Sequence, residues 1–193
     1  LSAAQHRLAL CDLALDGRAR VPREELATLL WGRSAQRQAL NSLNQSVYSL
    51  RRALEAQGCP ALLSGPQAVG LDPALVRSDV RRFEAAATAD DAATLAGAMA
   101  LYRGPLLDGL ALSEPGFEDW LTRERSRLAD LAVQAVTRLL EAGADAAGPD
   151  PSAQAARLLE LDPYNETAIA ALMRWHAGAG RPARALALQE RFR

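Results

Sequence analysis

The 193-residue sequence predicts a mainly α-helical chain with one small β-hairpin, divided into two domains. Three observations carry this reading. Apolar residues recur at steps of three and four along most of the chain, which is the period of a helix. One stretch departs from it: Leu62-Leu63-Ser64 and Ala68-Val69-Gly70-Leu71 flank a Gly65-Pro66-Gln67 turn and read as a hairpin. Charge also shifts along the chain. Residues 1 to 79 hold nine Arg against seven acidic residues, whereas residues 80 to 193 hold thirteen against sixteen, so a mildly basic part precedes an acidic one.

The first expected helix covers Ala3 to Leu15, with Leu8, Cys11, Leu13 and Leu15 among its apolar positions and Asp16-Gly17 as its stop. Arg20-Val21-Pro22 reads as a short extended link. A second helix follows from Arg23 to Trp31, with Leu26, Leu29, Leu30 and Trp31 on its buried side and Gly32 as its exit. The third spans Arg37 to Leu54, where Leu43, Val47, Leu50 and Leu54 form one stripe. Three helices and a hairpin follow one another in winged-helix order.

The second part is helical throughout. Asp79 is the expected cap of a helix through Phe83 to Ala87, and Asp90 of the next, which ends near Leu101-Tyr102-Arg103-Gly104. A loop with Pro105, Gly109, Pro115 and Gly116 leads to the longest element. There Phe117, Leu121, Leu128, Leu131, Ala135 and Leu139 define one face, and Gly143 is the expected end. Gly148-Pro149-Asp150-Pro151 interrupts before three shorter helices at about residues 152 to 161, 165 to 178 and 182 to 192.

Composition excludes several functions. All 22 basic residues are Arg. Without Lys the chain supplies neither the lysine of a phosphate-binding P-loop nor a Schiff-base amine. Cys11 and Cys59 lack metal or redox spacing and read as free thiols, pointing to a reducing, cytoplasmic setting. No apolar run approaches the roughly 20 residues that span a bilayer, so no membrane partner is expected. His6 and His176 are remote in sequence. His176 falls seven residues after Ile169 on an apolar face and reads as core, as do Trp120 and Trp175. Glu118-Asp119 and Asp90-Asp91 lie at helix starts, where dipole and capping interactions explain them. No catalytic residue, metal or cofactor is expected.

The third helix carries the functional signal. Opposite its apolar stripe lie Asn41, Gln45, Tyr48, Ser49 and Arg52, and no acidic residue occurs from Leu26 to Leu54, a window that holds Arg33, Arg37, Arg51 and Arg52. Amides pair with adenine edges, and arginine pairs with guanine or phosphate. Arg37, Asn41, Gln45, Tyr48, Ser49 and Arg52 are therefore the residues expected to face double-stranded DNA, with Arg51 at the edge and Gln67 in the hairpin turn. The plain alternative is a polar face turned to water, and the neighbouring segments decide between the two.

RVPREELATLLW and ALNSLNQSVYSLRRAL resemble the support and recognition helices of a winged helix-turn-helix domain of response-regulator type, as used by the actinobacterial antibiotic regulatory protein family. That resemblance implies that the third helix enters the major groove and that the hairpin is the wing. Such domains begin with several short strands. This sequence starts almost at the first helix with Leu1-Ser2, which suggests a trimmed start, and the family often has a further Arg near Asn44. LELDPYNETAIAALMRWHAGAGRPARALALQERFR resembles a tetratricopeptide hairpin, with Ala170 or Ala171, Gly180 and Ala185 as small packing residues and Pro163 at a helix start. More specifically, LYRGPLLDGL, FEDWLTRERSRL and LDPYNETAIAALMRWHAGAGRPARAL resemble the bacterial transcriptional activator domain, which accompanies a winged helix in the same family.

The expected organisation is a winged helix-turn-helix domain over residues 1–78 followed by an all-α, tetratricopeptide-like activator domain over 79–193. The resemblance implies a DNA-binding transcriptional activator with RNA polymerase subunits as partners and a homodimer on DNA repeats. Two rivals stand beside it: a protein interaction module without DNA binding, and a regulatory segment of a larger ATPase or cyclase-like protein. The absence of a clear stop after the last helix leaves the second open.

Overall fold

The computed structural model describes residues 20–110, 113–142 and 151–191, in a mainly helical fold with a small three-stranded sheet. The helix expected at Ala3 to Leu15, the stop at Gly143 and most of the break at 148–151 lie outside the described residues. The described residues fall into two units. One takes residues up to Arg81 together with Leu107–Glu124, the other Arg82–Leu106 together with residues from Arg125 onward.

In the first unit, β1 (Val21–Pro22) turns directly into α1 (Arg23–Trp31) at Pro22, whose extended backbone and missing N–H suit a helix entry. The amide of Arg23 is satisfied outside the helix by the Gln67 carbonyl at 2.9 Å. Glu24 and Glu25 occupy the first turn, where the helix dipole favours negative charge. Leu26, Ala27, Leu30 and Trp31 are buried, and Leu29 is half-buried. Gly32 ends α1 under tight constraint, because a Cβ there would lie 2.7 Å from the Thr28 carbonyl oxygen.

α2 (Gln36–Ala56) is somewhat longer than its apolar stripe and buries Ala39, Leu43, Ser46, Val47 and Leu50. Leu54 is half-buried near the end. Two backbone bonds close the helix, from Gly58 to Glu55 at 2.9 Å and from Cys59 to Leu54 at 2.9 Å. This needs a left-handed residue at Gly58, whose φ is 69°.

β2 (Leu62–Ser64) and β3 (Ala68–Leu71) form the expected hairpin, in the register Leu62↔Leu71, Leu63↔Gly70 and Ser64↔Val69. The link at Val21–Pro22 is more than a link. It pairs antiparallel with β3 through Val21↔Val69, making a sheet of order β1-β3-β2. Val21, Leu62 and Val69 supply its buried side chains, and Pro22 is tolerated because its strand is an edge.

α3 (Asp79–Ala87), α4 (Ala92–Leu101) and α5 (Pro115–Glu141) follow. The caps differ from expectation by one residue each. Ser78 rather than Asp79 reaches the third amide of α3, accepting from Arg81 N at 3.3 Å. Asp91 rather than Asp90 caps α4, accepting from Thr94 N at 2.8 Å. Ser78 and Asp91 each stand three residues before the amide they serve, a usual N-cap spacing, while Asp79 accepts from its neighbour Val80 N at 2.9 Å. Pro115 and Gly116, expected in a loop, form the start of α5, since proline loses nothing at a first helical position. Within the first unit, a Cβ at Gly116 would lie 3.8 Å from the Thr28 carbonyl, so this turn runs close to α1. Phe117 beside it is buried and stacks on Trp120 at 5.4 Å.

In the second unit Phe83, Leu95, Met99, Leu128, Val136, Leu139, Leu158 and Leu172 are core residues, while Leu131 is only half-buried. α6 (Pro151–Leu161), α7 (Glu166–Gly178) and α8 (Pro182–Arg191) complete it. Pro163 lies in the turn ahead of α7 and not at its start. Asn165 is the cap, accepting from Ala168 N at 3.0 Å and donating to Asp162 at 3.0 Å. Of the two candidate small residues, Ala171 is buried and Ala170 exposed. α7 ends as α2 does, with Gly180 at φ 71° and bonds from Gly180 to Ala177 at 3.2 Å and from Arg181 to His176 at 2.8 Å. His176 is buried edge-on to Trp175 at 5.0 Å, with the Arg181 guanidinium 5.3 Å from the indole centroid, an arrangement of packing groups.

Candidate nucleic-acid interface

The buried stripe of α2 determines what its other side shows. Leu43 is fully buried while Tyr48 is 61% exposed, so this helix presents a polar face to solvent along its length. Arg37, Asn41, Gln45, Ser49 and Arg52 are exposed on α2 as Tyr48 is. Arg51 is half-buried, turned away from the centre of that face. Gln67 is exposed in the hairpin turn.

Arg23 brings the turn and the helix together. Its Nε donates to the Gly65 carbonyl at 3.0 Å, Nη2 to Ser64 Oγ at 2.8 Å, and Nη1 to Asn44 Oδ1 at 2.7 Å. With its own amide on the Gln67 carbonyl, one residue fixes both ends of the turn and a side chain of α2. Partial burial, and then the nearby Arg51 charge, push its pKa down from the usual guanidinium value. A second cation lies on the same turn, since a Cβ at Gly65 would meet Arg20 Nη1 at 3.3 Å.

The unit thus places Arg20 and Arg23 at the turn, and Arg37, Arg52 and Arg51, the last near Arg23, on the helix. Among the described residues, no carboxylate pairs with Arg20, Arg33, Arg37, Arg51 or Arg52. Unneutralised guanidinium groups beside exposed amides are suited to a polyanion with readable edges. No group of three His, Cys, Asp or Glu among the described residues could hold a metal ion. No described helix is long and apolar enough to cross a membrane.

Sequence reasoning missed Arg20, Arg23 and Asn44 as parts of this arrangement. Periodicity assigned Arg23 to the start of a helix and Arg20 to a link, and nothing local shows that both meet a turn some forty residues onward. The run Ser64-Gly65-Pro66-Gln67, whose backbone and hydroxyl acceptors need donors from elsewhere, was the available signal.

Comparison with protein families finds that the bacterial transcriptional activator domain matches residues 71–193. Comparison with curated proteins finds no match.

Proposed function

The chain belongs to the bacterial transcriptional activator domain family, and on that premise we propose that it is a sequence-specific DNA-binding regulator that activates transcription together with RNA polymerase. One observation carries the DNA-binding half of this reading: the polar face of α2, free of acidic residues from Gln36 to Leu54 and with exposed Arg37, Asn41, Gln45, Tyr48, Ser49 and Arg52, is tied through Arg23 to a basic hairpin turn. In this reading α1 is the supporting helix and α2 the helix that enters the major groove. The turn at Gly65 to Gln67 is the wing tip on the backbone, with Arg51 at the rim. Residues 1–78 are the winged helix-turn-helix domain of an actinobacterial antibiotic regulatory protein, and 79–193 the tetratricopeptide-like activator domain that contacts polymerase subunits. The protein works in the cytoplasm, pairs with a second copy on repeated sites, and performs no catalytic step.

Selection from random duplex DNA tests the proposal. A sequence-selective complex is expected, with affinity falling steeply between about 50 and 200 mM salt because several phosphate contacts release counterions. Asn41→Ala or Gln45→Ala relaxes the selected sequence, while Arg52→Ala weakens all duplexes alike. A folded sample that forms no complex overturns the proposal in favour of a protein interaction module.

A further inference from the structure

We propose that Asn44 reads a hydrogen-bond acceptor on one base edge, and that Arg23 is the positioning residue that fixes its amide for this purpose. The inference rests on the DNA-reading function proposed above. Asn44 is exposed on α2, one helical turn from Asn41 and from Tyr48, so it borders the face assigned to DNA. Its side chain meets Arg23 Nη1 at 2.7 Å.

A guanidinium offers donors and no acceptor, so the amide atom that faces it must be the oxygen. Turning the amide over would set its NH2 group against a cation. The Nδ2 group is therefore left as the outward function, a donor and not an acceptor. Arg23 is itself held by Gly65 and Ser64 and cannot follow a rotating amide without losing those bonds.

Gln45 has no such bond among the described residues and can turn its amide to suit a base. Asn44 cannot. In the major groove its donor suits guanine N7 or O6, thymine O4 or adenine N7, and opposes cytosine, whose edge presents a donor there. Selectivity at the base it touches thus comes from a contact inside the protein.

Three variants test this by selection from random duplexes and by thermal melting. Asn44→Asp keeps an oxygen on Arg23 through a stronger charged bond but turns an acceptor outward. It is expected to melt no lower than wild type and to shift one position of the selected site toward cytosine. Asn44→Ala removes the donor without adding charge and relaxes that same position alone, by about three- to tenfold. Arg23→Lys keeps the charge but not the three bonds, and relaxes that position too; a merely structural role for Arg23 would instead lower affinity for every sequence with the profile unchanged. If wild type forms no selective complex, the DNA-reading function and this inference fall together. If wild type is selective but the Asn44→Ala profile matches it at every position, or relaxes at all positions equally, the inference alone is overturned.

Discussion

α2 and the later part of α5 are both long helices with arginine on their outer sides, and they use it in opposite ways. On α5, Arg127 pairs with Glu84, Arg138 pairs with Asp90 at 2.8 Å, and Arg125 Nε donates to the Leu106 carbonyl at 2.8 Å. On α2, Arg37, Arg51 and Arg52 meet no carboxylate among the described residues. Exposed ion pairs add little to stability, so the contrast concerns where charge stays available and not how firmly each unit is held. A guanidinium beside a carboxylate contributes almost nothing to the field at a distance, whereas several unpaired ones add up.

The contrast breaks most severely if the floor beneath α2 is removed. Leu43→Ala empties a fully buried site and is expected to cost about 3 kcal/mol, read as an earlier urea midpoint for the first unit; an unmoved midpoint would show that the polar face does not depend on this stripe. The next effect is on binding. Arg37→Ala with Arg52→Ala should weaken every duplex by tenfold or so and flatten the salt dependence by about two contacts. Glu84→Gln, which removes a partner of Arg127 on the other helix, should leave the salt slope alone and cost no more than about 1 kcal/mol in a melt.

The smallest effect sharpens the comparison from the acidic side. Hydrogen bonds from the Thr94 side chain and then from its backbone amide hold the Asp91 carboxyl below its ordinary value. A depressed folded-state pKa gives stability that is present above the ordinary value of about 3.9 and is lost as pH falls through the folded one. Asp91→Asn keeps an acceptor at the cap but cannot titrate. The gap in melting temperature between wild type and this variant should therefore narrow on acidification, with the DNA profile unchanged at neutral pH. A gap constant with pH would show that the cap does not depend on the charge.

Much of this architecture is legible along the chain, and the omissions share a physical origin. The exposure of Asn41, Gln45, Tyr48 and Arg52 follows from Leu43, Val47 and Leu50 opposite them, because helical spacing fixes both faces at once. The hairpin is equally local, marked by a Gly-Pro turn between short apolar runs. β1 is not, since two extended residues become a strand only by meeting Val69 and Ala68. The caps at Ser78 and Asp91 and the helical start at Pro115 turn on differences of a residue or two, finer than an apolar period resolves. Arg23 is the largest omission. Its role consists of bonds to residues 44, 64 and 65, and composition does not announce such a convergence.

The place of β3 at the centre of the sheet has a consequence for how the first unit comes into being. Its neighbours are a strand that precedes α1 and a strand that follows α2, so the pairing of Val21 with Val69 closes a loop containing both helices. Closing such a loop costs chain entropy before its contacts repay it. A two-stranded hairpin alone is marginal in water, and its inner strand is fully paired only once β1 has joined it. A lesion at β1 is therefore expected to weaken the hairpin as well as the entry to α1.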